Sequence, residues 1–213
     1  DAMHDVAQSA QDPLAGKFRL GAFPTLSTYI FPSLVPKITA ALPQLKLVLV
    51  EEKTQILIER LKRGELDAAL LALPVHDDQL VVKKLFDDEF FLAVPPQHPL
   101  AKTKQVDQAA LSASTLLLLE EGHCLRDQAL EVCHLVGMEE EQDFRATSLE
   151  TLRQMVKAGT GITFMPKMAI QADETGIVYI PFKKPAPYRT IGLVWRKTTA
   201  RTAVIEKLIA MLV

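Results

Sequence analysis

Leu61-Lys62-Arg63-Gly64-Glu65-Leu66-Asp67-Ala68-Ala69-Leu70-Leu71-Ala72-Leu73-Pro74 is the stretch that decides the fold. A charged run stops at a glycine, and an unbroken apolar run follows it and stops at a proline. Glycine just past the last periodic residue is a helix C-terminal signal. A continuous apolar strand is one covered on both faces, as in a parallel sheet. The stretch predicts helix, tight turn and buried strand, which is half of a β-α-β unit.

Working outward, Thr54 is expected to cap the preceding amphipathic helix, and Lys46 to Val50 reads as a β-rich strand. Lys17 to Phe23 alternates as a first strand and meets Pro24. Thr25 or Ser27 then caps a helix to about Ala41, kinked or broken at Pro32 and Pro36. Downstream, Val81 to Phe86 and Glu89 to Val94 read as two short strands, and Pro95-Pro96-Gln97-His98-Pro99 as a rigid crossing into a second domain.

A second series of similar pattern follows. Thr115 to Leu119 is a strand, Gly122-His123 a turn, and Arg126 to Val136 a helix. Asp143 to Ala146 is a strand, and Thr147-x-x-Glu150 a capping box for a helix to Ala158. Ile162 to Met165, Ile177 to Ile180 and Thr190 to Trp195 are strands, and Ala203 to Leu212 is the last helix. The expected architecture is α/β: two Rossmann-like subdomains with a cleft between them, the usual ligand position in open α/β sheets. Residues 1–15 read as a linker, 16–94 with 191–213 as subdomain I, and 95–190 as subdomain II.

Composition narrows the function classes. The 213 residues carry a net charge of −2 and are 48% hydrophobic, so a packed core is within reach and no basic surface for nucleic acid stands out. No apolar run nears the ~20 residues of a membrane span, and no leader is visible. Two cysteines do not make a disulfide scaffold; they suit a cytoplasmic protein with reduced thiols.

Three stretches resemble the effector domain of LysR-type transcriptional regulators: Gly16-Lys17-Phe18-Arg19-Leu20-Gly21, Leu61 to Ala69, and Val156-Lys157-Ala158-Gly159-Thr160-Gly161-Ile162-Thr163-Phe164-Met165-Pro166. That domain is periplasmic-binding-protein-like. Gly122-His123-Cys124-Leu125-Arg126-Asp127-Gln128 and Phe144 to Arg153 are similar to the peroxide-sensing members of the family. The resemblance implies that Cys124 is the peroxidatic sensor and Cys133 its resolving partner. It also implies that Thr25, Thr54 and Arg189 line the peroxide pocket with His123 and Arg126. It implies no metal, no cofactor and no enzyme activity. Its partners would be hydrogen peroxide, further copies of the chain as dimer and tetramer, a thiol reductant and RNA polymerase. Promoter DNA would be bound through a winged helix-turn-helix that this chain does not contain.

The spacing supplies a mechanism for that pairing. The cysteines are 133 − 124 = 9 residues apart, roughly 13 Å of rise on one helix. A disulfide brings Cα atoms to about 4.4–6.8 Å, so the helix must unwind before they join. Cys124 follows a glycine-containing turn and sits near the start of the predicted helix, where the dipole favours a thiolate, and only the thiolate reacts fast with peroxide.

Other readings compete. A cysteine is most often a structural thiol, and Cys133 beside Val132 and Val136 suits a core face. His123, Cys124, Cys133 and His134 invite zinc, but pairs at opposite ends of a helix do not converge on a tetrahedron. Gly159-Thr160-Gly161 lacks the Lys-Ser/Thr of a phosphate loop. His76, His98 and His134 read as surface residues, Glu139-Glu140-Glu141 as a solvated loop, and Thr54 and Thr147 as plain caps. A metabolite-binding effector domain, a periplasmic solute-binding protein and a thiol peroxidase are the alternative functions.

Overall fold

The computed structural model describes residues 12–111, 115–136 and 139–213, the side chains of 115, 131–136 and 139–143 excepted. In chain order the elements are β1 (Gly16–Ala22), α1 (Pro24–Ala41), β2 (Leu45–Glu51), α2 (Thr54–Arg63), β3 (Ala68–Leu73) and β4 (Leu80–Val94). They continue with β5 (Thr115–Leu119), α3 (Cys124–Val136), β6 (Glu139–Ala146), α4 (Leu149–Lys157) and β7 (Thr163–Pro166). β8 (Val178–Pro181), β9 (Tyr188–Arg196) and α5 (Thr202–Leu212) complete the chain. Among the described residues no helix is long and apolar enough to cross a membrane.

The chain divides into two compact units, one of residues 1–86 with 190–213 and one of residues 87–189. The crossings fall inside β4 and at the start of β9, not at the Pro95-Pro96 turn.

In the first unit β1 is central. It runs parallel to β2 and to β3, with Leu20 opposite both Leu49 and Ala68. β9 closes on β3 antiparallel, so the sheet is mixed. From Ala68 to Ala72 every residue of β3 is buried, as its unbroken apolar run requires. Gly64 ends α2 at φ 78°, a left-handed position suited to glycine.

α1 is one helix from Pro24 to Ala41, not a broken one. Both prolines lie on its exposed side, while Ile30, Leu34 and Ile38 bury the other. The carbonyls that Pro32 and Pro36 leave without an intrahelical donor belong to exposed Thr28 and Pro32, where water can serve them. Neither Thr25 nor Ser27 caps this helix; Phe23 occupies the cap, with Pro24 in the first turn.

In the second unit the later half of β4 pairs antiparallel with β7 and β8, and β5 pairs parallel with β6. Two short strands were expected, Val81 to Phe86 and Glu89 to Val94, with Asp87-Asp88 between them. Instead the strand runs through. Asp88 is 3% exposed, and its Oδ2 accepts from Arg189 Nε at 3.0 Å and Nη2 at 2.9 Å. Its Oδ1 accepts from the Met168 amide. A carboxylate so satisfied is tolerated in a buried strand.

The Glu139-Glu140-Glu141 run is likewise strand and not loop, because its backbone pairs with β5. The box at Thr147 is displaced by one residue: Ser148 caps α4 by accepting from the Thr151 amide, and Glu150 turns to Arg153.

Arg153, 1% exposed, donates to Glu150, Glu174, Tyr179 and the Ala169 carbonyl. Glu174 also meets Lys157 at 2.7 Å. Burial alone would raise the Glu174 carboxyl, but bonds from Lys157, Tyr179 and Arg153 outweigh it and hold it below the ordinary carboxylate range.

Two outcomes are expected in urea melts. Asp88→Ala leaves the buried Arg189 cation without its carboxylate and lowers stability by about 3–5 kcal/mol. Glu174, with its lowered value, stabilises the fold above the ordinary carboxylate range and loses that contribution as pH falls through the lowered value. Glu174→Gln therefore flattens the acid limb of stability against pH while lowering the neutral plateau.

Candidate redox site

The site grows from the end of β5. Leu116 to Leu119 are buried, so this strand end is fixed by packing. The chain turns through Glu120, Glu121 and Gly122, and Gly122 sits at φ 87°, which a side-chain-bearing residue seldom adopts. His123 follows, and its carbonyl accepts from the Arg126 amide at 2.9 Å, starting the helix. Cys124 is the first residue of α3 and is half-buried.

Two sequence-expected neighbours stand close by in the chain and are themselves buried. His123 is 5% exposed, with Nε2 3.8 Å from Glu120 Oε1. Arg126 is 7% exposed and folds back so that Nη1 donates to the Leu119 carbonyl at 3.2 Å. A cation is thereby held at the same turn as the thiol and the positive end of the helix. A cation and a helix N-terminus are the two kinds of feature that favour a thiolate over a thiol.

The remaining expected residues are spread over both units. Arg189, 1% exposed, belongs with Cys124 to the second unit and is held by Asp88. Thr25 and Thr54 belong to the first. Thr25 lies buried in the opening turn of α1. Thr54 is not the cap that its position suggested. Lys53 occupies that place with no side-chain bond, and Thr54 opens the helix. Its Oγ1 is buried with no hydrogen-bond partner among the described residues.

Cys133 lies on the same uninterrupted α3 as Cys124; its side chain and that of His134 lie outside the described residues. Gln128 closes the Gly122–Gln128 motif but was assigned no role from sequence, although it sits one turn beyond Cys124 on the same helix. Its Oε1 is buried with no hydrogen-bond partner among the described residues, and the i, i+4 spacing was the available signal. Among the described residues no group of His, Cys, Asp and Glu could hold a metal ion. His76 is exposed as expected, whereas His98 is half-buried and caps a short helical turn by accepting from the Leu100 amide.

Residues 11–213 match the LysR substrate binding domain, and the chain belongs to that family. The DNA-binding transcriptional dual regulator OxyR of Escherichia coli strain K12 is 41% identical over 196 residues, which is 91% of this chain and 64% of the relative. The chain thus spans somewhat under two thirds of that relative. The crystal structure of the oxidised form of OxyR superposes with TM-score 0.85 at 40% identity, covering 94% of this chain and 96% of that one. The reduced form of the OxyR regulatory domain from Pseudomonas aeruginosa gives 0.85 at 36% identity, over 94% and 98%.

Arg126→Met, made in a Cys133→Ser background, is expected to slow iodoacetamide labelling of Cys124 at neutral pH by about two- to fivefold, the worth of one cation near a helix terminus. The rate-versus-pH curve should move to higher pH. An unchanged curve would remove Arg126 from the thiolate's environment.

Proposed function

We propose that this chain is the hydrogen peroxide-sensing regulatory domain of a LysR-type transcription factor. The observation that carries the reading is an unbroken α3 with Cys124 on its first turn and Cys133 nine residues on. The oxidised and reduced OxyR structures are both similar to this chain, which supports a domain that exists in two redox states.

The chemistry balances with peroxide as the oxidant. The Cys124 thiolate attacks one peroxide oxygen; the S–O bond forms, the O–O bond breaks, and the leaving hydroxide takes a proton and departs as water. The Cys133 thiolate then attacks the Cys124 sulfur; the S–S bond forms, the S–O bond breaks and a second water leaves. One peroxide is reduced and two thiols are oxidised. A thiol reductant resets the pair by exchange.

In this reading the family resemblance assigns Thr25, Thr54, His123, Arg126 and Arg189 to peroxide binding, hydroxyl and cationic groups being the kind that polarise the O–O bond and serve the leaving oxygen. The protein is cytoplasmic, acts as a dimer or tetramer, meets promoter DNA through a winged helix-turn-helix outside this chain, and signals to RNA polymerase. It is a regulator and not an enzyme: its product is a changed shape.

One observation favours a second reading, a metabolite-binding effector domain with incidental cysteines. A cavity of about 650 Å³ in the first unit is lined by Thr54, Gln55, Ile58, Lys62, Pro74 and Asp77, within the size range of small-molecule sites.

Peptide mapping after near-stoichiometric peroxide separates the two. A Cys124–Cys133 crosslink is expected in the wild type and in neither single mutant. Cys124→Ser should abolish the response. Cys133→Ser should leave Cys124 oxidised without an intramolecular bond. Two untouched wild-type thiols would turn attention to metabolites that raise the melting temperature.

A further inference from the structure

We infer that the buried ionic cluster centred on Arg153 is the end-stop of the redox switch: it fixes α4, so that the rearrangement set off between Cys124 and Cys133 ends at Ser148. This rests on the disulfide reading above and says where its consequences stop.

Closing the disulfide draws two Cα atoms from roughly 13 Å to under 7 Å apart. The displaced chain must be absorbed on one side of α3 or the other. Upstream there is little room. β5 is buried, the Leu117 amide donates to Ile162 at 2.8 Å, and Thr163 Oγ1 donates to the Leu117 carbonyl at 2.8 Å. Downstream, β6 is paired with β5 at both its ends, Glu139 and Glu140 opposite Thr115 and Leu116, and Arg145 and Ala146 opposite Leu118 and Leu119, with the register broken between them. That irregular middle is where the change can be taken up, and the next element beyond it is α4.

Left to itself α4 could not resist. It has nine residues, and isolated helices below ~12–15 residues are marginal. Its apolar face, Leu149, Leu152 and Val156, supplies burial but no directional lock. The lock is ionic. Arg153 Nη1 lies 2.6 Å from both Glu174 Oε2 and Tyr179 Oη, and Nη2 lies 2.6 Å from the Ala169 carbonyl. Lys157, one turn later, holds the other Glu174 oxygen at 2.7 Å. These partners come from three places downstream of α4, none of them in the redox segment. Losing one member of such a buried set strands a charge, so the helix either keeps every contact or loses its lock at once.

The test is hydrogen-exchange mass spectrometry on the full-length protein, reduced and peroxide-treated, with crosslink formation read by peptide mapping in the same samples. In the wild type, oxidation should change exchange within 120–147 and leave 149–157 within about twofold. In Glu174→Gln the amides of 149–157 should exchange at least about tenfold faster oxidised than reduced. Tyr179→Phe keeps every charge and removes one hydroxyl, so it decides the matter if Glu174→Gln does not fold; about threefold is expected. A wild-type α4 that changes on oxidation would overturn the end-stop. So would an oxidised-to-reduced ratio near one in the folded variants when the crosslink is present. Absence of the crosslink in the wild type would instead remove the switch, and the end-stop with it.

Discussion

A helix gains about 1.5 Å per residue, and this fixed rise is the constraint on which the proposed redox segment depends. While α3 persists from Cys124 to Val136, two thiols nine residues apart are held too far from each other to bond. Persistence of the helix and formation of the disulfide are mutually exclusive. Any oxidant that links the two sulfurs must choose the second, and a chemical event becomes a structural one without further machinery.

For that exclusivity to be useful, the surroundings must not yield in place of the helix. In the proposed switch, several features of the second unit would serve this purpose. β5 is packed and bonded to the segment around Ile162, and α4 is held by Arg153, Glu174 and Lys157. Asp88 ties β4, β9 and the Met168 amide together through three accepted bonds. These contacts are buried or part-buried polar interactions, costly to leave half-made and therefore discrete rather than yielding.

These contacts also mark the limit of what the sequence disclosed. The β-α-β order, the end of α2 at Gly64, the return of the last helix to the first unit and the placement of Cys124 at a helix start were all legible. Each follows from local chemistry: apolar runs, a glycine beyond a helix, a turn before one. The misread elements share a different cause. Asp87-Asp88 looked like a strand break because the partner that neutralises Asp88 lies 101 residues away, at Arg189. The Glu139-Glu140-Glu141 run looked like a loop because its pairing with β5 lies outside any local window. Pro32 and Pro36 looked like breaks because nothing in a one-dimensional pattern says that both fall on the exposed side of α1. Thr54 looked like a cap, and only its surroundings show that the hydroxyl is buried without making that bond. At the site, Gln128 was assigned no role, because its place at the end of the Gly122–Gln128 motif does not tell whether its carboxamide is buried.

The length of α3 bears on the proposed switch. Thirteen residues place it close to the limit at which a helix holds without tertiary support. Unwinding it therefore asks for only a modest free energy, of the order of a few kcal/mol, provided that its neighbours stay folded. A longer or more heavily buried helix would resist the disulfide and leave Cys124 stranded as a sulfenic acid, exposed to further oxidation. A shorter one would not keep the thiols apart when reduced. The useful range is narrow: a marginal helix between firm supports, in which the weak element is also the one that carries both sulfurs.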